Sequence, residues 1–169
     1  MRRSVMLLAS FVSISIAMDS RLSGQTNSSS SSLTVNATVS KNCTITTAPV
    51  AFGAYDPVGT NATTPRDAQG TITVTCTKGA EAHVGLGVGS NAQGTTRRMA
   101  QGAASYLAYE LYKDSSHATV WGDTTDTGLP IPAAPNRAPR DFPVYGRVAA
   151  AQDVTVGTYT DTVVATVNF

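Results

Sequence analysis

The chain has 169 residues, room for one domain of ordinary size, and only 14% of them are charged, which suits surfaces that end against other subunits or are rich in Ser, Thr and Asn. The formal net charge is +1, and it becomes −1 once Arg2 and Arg3 leave with an N-terminal segment. A chain so close to neutral offers no basic field for nucleic acid and no polybasic run for a membrane surface.

The first predicted element is a secretory signal peptide over residues 1–17. Met1-Arg2-Arg3 starts it positively, Val5, Met6, Leu7, Leu8, Phe11, Val12, Ile14 and Ile16 make it apolar, and Ser15-Ile16-Ala17 ends it on small residues. Cleavage is expected after Ala17 or as late as residue 24. The rival assignment is a membrane anchor, but an apolar run of roughly 13 residues falls short of the ~20 a spanning helix needs. No integral membrane segment is expected after cleavage.

Residues 18–32 form a polar leader ending in five serines at 28–32, with nothing to bury, and are expected to be flexible. The pattern then changes. Leu33-Thr34-Val35-Asn36-Ala37-Thr38-Val39-Ser40 alternates apolar and polar without an error, the period of a strand with one buried face. A domain over 41–169 follows.

Within it, 43–47 and 50–53 read as strands separated by Ala48-Pro49, and Asp56-Pro57-Val58-Gly59 reads as a turn opening a loop that runs to Gly70. Residues 71–76 alternate again, with Ile72, Val74 and Cys76 on one face, and 82–88 alternate with Val84, Leu86 and Val88 opposite His83, Gly85 and Gly87. Segments 106–112 and 118–121 predict a hairpin around Lys113-Asp114-Ser115-Ser116. Residues 100–104 predict at most a short turn. A loop-like stretch over 123–143 carries prolines 130, 132, 135, 139 and 143 and is expected to be extended and exposed. A strand is expected over 142–148. The chain closes on 157–169, where Val163, Ala165, Val167 and Phe169 share one face. Many short strands without helical periodicity predict an all-β sandwich.

Cys43 and Cys76 are an even pair in an exported chain, which predicts one disulfide. Closing that loop contributes about 4 kcal/mol on the chain-entropy model. Without CxxC spacing the pair makes a poor zinc or redox site.

Chemistry-bearing patterns are scarce. His83 and His117 read as ordinary surface or edge residues. Gly85-x-Gly87-x-Gly89 lacks the spacing, the helix and the Lys-Ser/Thr of a phosphate loop, and close packing is the better reading. There is no GxSxG and no triad. Asp123 and Asp126 read as solvated loop carboxylates rather than calcium ligands. Tyr106, Tyr109, Tyr112 and Trp121 read as packed strand aromatics rather than a sugar site. No catalytic residue, metal or cofactor is expected, and the chain does not read as an enzyme.

Several pieces together resemble the subunits of archaic chaperone–usher pili, which share the spore coat protein U domain. They are the alternating strand running into Cys43, Thr71-Ile72-Thr73-Val74-Thr75-Cys76, Tyr109-Glu110-Leu111-Tyr112-Lys113-Asp114, Val144-Tyr145-Gly146, and Gly157-x-Tyr159-x-Asp161-Thr162-Val163-Val164-x-Thr166-Val167-Asn168-Phe169. They span essentially the whole exported chain, in the order such subunits show. The resemblance implies an incomplete immunoglobulin-like β-sandwich that lacks its last strand. A periplasmic chaperone lends a strand, pairing with the C-terminal one, until the N-terminal strand of the next subunit replaces it at an outer-membrane usher.

Carried onto this chain, the donor strand is 33–40, with Leu33, Val35, Ala37 and Val39 as the plugs. The groove strand is Val163, Ala165, Val167 and Phe169. The partners implied are identical or related subunits, the chaperone and the usher. The place implied is a surface fibre reached through the periplasm, serving adhesion and biofilm growth. The Pro-rich segment 129–143 departs from the family pattern. Two other readings stay open: a spore coat protein of the same fold, and a stand-alone secreted module that binds carbohydrate or a surface.

Overall fold

The computed structural model describes residues 26–169, so the predicted signal peptide and the start of the leader lie outside the described residues. The chain divides after Ala37, and the fold is carried by the compact unit Thr38–Phe169.

That unit is all-β apart from one 3-10 turn, Thr60–Ala62. Its backbone is β2 (Arg66–Cys76) paired antiparallel with β8 (Arg140–Val148). Strict alternation explains both: Ile72, Val74 and Cys76 of β2 and Val144 and Val148 of β8 are buried, while their neighbours along each strand are not. β1 (Cys43–Ala48) adds to the outer side of β2 and β6 (Glu110–Tyr112) to the outer side of β8, giving the order β1-β2-β8-β6. A second sheet has the order β7-β3-β9, from Leu129–Ile131, Ala82–Leu86 and Ala165–Asn168. β4 (Arg98–Gln101) and β5 (Ser105–Ala108) form a separate hairpin. The result is an open two-sheet sandwich of the incomplete immunoglobulin-like kind.

Trp121, fully buried, ties the sheets together. Its amide donates to Leu111 O and its indole to Val84 O, each within 2.9 Å. Beside it Arg97, only 3% exposed, donates to the carbonyls of Leu86, Gly87 and Trp121 and pairs with Glu110. Four acceptors around one guanidinium satisfy it where a lone buried charge would be costly. Cys43 and Cys76 are bonded to each other and are direct partners in the β1–β2 ladder, with Cα atoms 4.1 Å apart.

Several expectations need correction. Residues 33–40 form no strand; nothing between 26 and 42 does, and Leu33, Val35 and Val39 are more than 80% exposed. Alternation makes a strand only when an edge is there to pair with. Residues 50–53 likewise form no ladder, and Gly53 at φ +68° leaves the strand conformation, yet Val50 and Phe52 still turn inward while Ala51 and Gly53 stay out. The loop expected to reach Gly70 ends before Arg66, because 66–70 pair with β8 and the Asp67 carboxylate accepts from Nε and Nη2 of Arg147.

The strand expected over 106–112 breaks at Tyr109 into β5 and β6. The arm over 118–121 makes only the bridge Tyr112–Val120 and flanking backbone bonds. Residues 100–101 belong to β4, and only 102–104 turn. The proline stretch holds β7 and the start of β8. Pro130 sits on an edge strand, and at Pro143 β8 is not yet covered by β6, so neither missing N–H interrupts a ladder on both sides.

Candidate functional site

β1 and β9 are each the last strand of their sheet. In β1 the alternate residues Thr44, Thr46 and Ala48 spend their backbone groups on β2, leaving those of Cys43, Ile45 and Thr47 facing outward. In the C-terminal segment the carbonyl of Val164 takes the amide of Gly87 and that of Thr162 the amide of Ser90, so the backbone groups of Val163, Ala165 and Val167 face outward too. Cα atoms of the two strands approach within 8 Å, yet among the described residues no backbone hydrogen bond joins them. Two unpaired edges therefore stand side by side.

Where these edges part, a cleft of about 320 Å³ opens into the core. Thr47, Ala48 and Val50 form one wall, Val163 and Ala165 the other, and Ile72, Leu86, Leu111 and Val144 lie beneath. A second cleft of about 580 Å³ shares Val50, Phe52, Met99 and Tyr159 with the first and extends it between 50–57 and 154–159. Gly146 makes room for this wall: a Cβ there would lie 2.6 Å from Val50 Cγ1 and 2.8 Å from Phe52 Cζ.

One part-buried polar pair crosses the cleft, whose remaining polar lining includes Thr47, Thr71 and Thr160. Tyr109, 6.1 Å ring to ring from Phe52, donates its phenol hydrogen to Asp161 Oδ2, while Asp161 Oδ1 accepts from the backbone and side-chain N–H groups of Asn91. Gly89, at φ +92°, lies against that carboxylate, so any side chain there would be strained and would collide with it. Burial, then the bond to Asp161, pushes the Tyr109 phenol well above the usual tyrosine range.

The expected groove residues divide. Val163 and Ala165 line the first cleft; Val167 is half-buried opposite Val84; Phe169 lies just past the end of β9 and is 53% exposed. Leu33, Val35, Ala37 and Val39 are all exposed. The residues missed are Val50, Phe52, Tyr109 and Asp161. The in–out alternation of 50–53 was legible, whereas nothing in the sequence joins Tyr109 to Asp161. Both histidines depart from expectation: the His117 side chain is 8% exposed, edge-on to Tyr112, its Nε2 3.8 Å from Asp67 Oδ1 without a hydrogen bond, and His83 lies on the central strand of its sheet with its Nε2 buried. Among the described residues no three His, Cys, Asp or Glu side chains gather as metal ligands, and no helix is long and apolar enough to cross a membrane.

Residues 29–166 match the model of the Spore Coat Protein U domain. The chain belongs to that family. It is similar to Protein U of Myxococcus xanthus, with 42% identity over 127 residues, covering 70% of each chain. Among solved structures it shares its fold with the CsuC–CsuE chaperone–tip adhesion subunit pre-assembly complex from the archaic chaperone–usher Csu pili of Acinetobacter baumannii. The TM-score is 0.57 at 23% identity, over 78% of this chain and 40% of that one. The Spore Coat Protein U domain of this chain is thus an open sandwich in which, among the described residues, β1 and β9 present unpaired backbone toward each other and the apolar segment before β1 is exposed.

Proposed function

We propose that this Protein U domain chain is a structural subunit of a surface fibre, assembled by donor-strand exchange. In this reading 1–17 is the signal peptide, 18–32 a leader, 33–40 the donor strand and 41–169 the acceptor domain. The observation that carries it is the pairing of a deficiency with a surplus. The unit Thr38–Phe169 has a cleft between two unpaired strand edges, and the chain also holds Leu33, Val35, Ala37 and Val39 exposed in strand period.

Where β1 and the C-terminal segment part, an entering strand takes up their outward backbone groups and sends alternate side chains into the cleft, the two edges moving apart where they stand closer than a double strand spacing. Burying Leu33, Val35, Val39 and Ala37 is worth on the order of 5–8 kcal/mol. An unfilled edge pair is an aggregation site, so the subunit needs an escort through the periplasm. A chaperone strand fills the cleft first and an outer-membrane usher hosts the exchange. Adhesion and biofilm growth are the roles such a fibre serves.

The test compares chains beginning at residue 26 and at residue 41, each with and without a candidate chaperone. Ladders resistant to SDS from the longer chain, with the shorter one surviving only in one-to-one chaperone complex, support the reading. A shorter chain that is a stable monomer with a sharp thermal transition overturns it. A spore coat role is the second reading, favoured by the family description and by the 42% identity to Protein U; assembly without any chaperone or usher would select it.

A further inference from the structure

A donor segment tethered this close to its own acceptor has an obvious competitor. The cleft wall is the free edge of β1, and β1 begins at Cys43, only four residues after Val39. A hairpin over Ser40-Lys41-Asn42 would lay 33–39 back along that edge in its own molecule. Three-residue hairpin loops are common, and they need a residue that tolerates φ > 0 near their end, as asparagine does. Tethering also gives a segment in the same chain a high effective concentration. Nothing in the local sequence forbids the reversal.

What opposes it lies on the neighbouring strand. The amide of Thr77 donates to Asn42 O at 2.9 Å, extending the β1–β2 ladder one pair beyond the Cys43–Cys76 bridge. The Thr77 hydroxyl lies 3.3 Å from the same oxygen and 3.4 Å from Ser40 O. The residues that would have to turn are the ones held straight, in line with β1. The covalent bond one pair away keeps that end of the ladder from fraying.

Building on the donor–acceptor reading above, we infer that Thr77 and the bridge withhold 33–39 from the cleft of its own chain, leaving the cleft of a second copy as its acceptor. Thr77 is a positioning residue: it decides where the donor goes without entering the cleft.

The chain from residue 26, refolded with the bridge intact, tests this alongside Thr77→Ala and a variant with two glycines inserted between Ser40 and Lys41. The insertion supplies the slack for a reversal by freeing Ser40 from the Thr77 hydroxyl while leaving the Thr77–Asn42 contacts and residues 41–169 in place. Size-exclusion chromatography and SDS gels give the monomer and ladder fractions, and hydrogen exchange reports whether 33–39 is protected in the monomer. The expected result is at least a fivefold rise, in both variants, of monomer with protected 33–39, and a matching fall in ladders. Equal fractions in all three chains, or a wild-type monomer already protected at 33–39, overturn the clamp. A synthetic peptide of residues 30–42 separates the two levels. If it binds and the variants behave like wild type, only the clamp falls; if it binds no form of the chain, the donor reading falls with it.

Discussion

Tyr109 and Asp161 stand 52 residues apart in sequence and share one hydrogen, the phenol donating to Oδ2 at 2.7 Å. The bond links the break between β5 and β6 to the segment leading into β9, and it does so inside the cleft rather than at the surface.

Tyr109→Phe removes the donor and leaves the ring. A hydrogen bond to a charged group contributes about 1.5–3 kcal/mol, so a loss of that size is expected at pH 7 from urea unfolding. The pH dependence has a definite sign. Because the folded phenol sits above its ordinary value, its contribution is complete below about pH 10 and is lost as pH rises from there toward the folded value. The variant's curve is therefore expected to meet that of the wild type at high pH. Parallel curves from pH 7 to 11 would count against the assignment.

Arg97→Leu deletes a guanidinium that serves three carbonyls and one carboxylate. Breaking such a buried set costs about 3–5 kcal/mol. Arg97→Lys is expected to fall almost as far, because one ammonium cannot reproduce the planar fork. Urea midpoints of the two variants decide the point; a lysine variant as stable as wild type would show that charge alone suffices.

Gly146→Val pushes against Val50 and Phe52, the wall of the cleft. Overpacking of this kind costs about 1–3 kcal/mol. The more telling expectation is functional: the displaced side chains occupy the cleft, so uptake of a 30–42 peptide falls by more than the stability loss explains. Unchanged peptide uptake would place the acceptor elsewhere.

Replacing Cys43 and Cys76 together by serine is expected to lower stability by about 4 kcal/mol, measured against the oxidised protein. Wild type in reductant should reproduce the same loss.

Much of this fold was legible because it obeys period two. β2 and the C-terminal segment announce themselves through Ile72, Val74, Val163 and Ala165, each turned to the side its alternation indicates; the strand expected over 82–88 instead ends at Leu86, where Val84, Gly85 and Leu86 are all buried and Val88 is left exposed. What escaped reading has no such signature. The first half of β2, Arg66-Asp67-Ala68-Gln69-Gly70, is a strand only because β8 lies beside it and Arg147 meets Asp67. β4 was hidden for the same reason: Arg98 and Gln101 owe their conformation to partners on β5. Conversely, 33–40 shows the clearest alternation in the chain and no strand at all, because a strand belongs to a pair and the sequence lists only one member. The cleft was foreseen on the side of Val163 and Ala165. Its other wall, Val50 and Phe52, depends on Gly146, which lies about a hundred residues away.

The place of the disulfide has a mechanical consequence. Tension applied to the chain ahead of Cys43 arrives at β1, an edge strand held by one ladder that alone would shear or peel. The bond to Cys76 diverts that tension into β2, the longest strand, which is flanked on both sides along part of its length. The load is then spread over the β2–β8 ladder in the middle of the sheet, and rupture must drag out the centre of the sandwich rather than its rim.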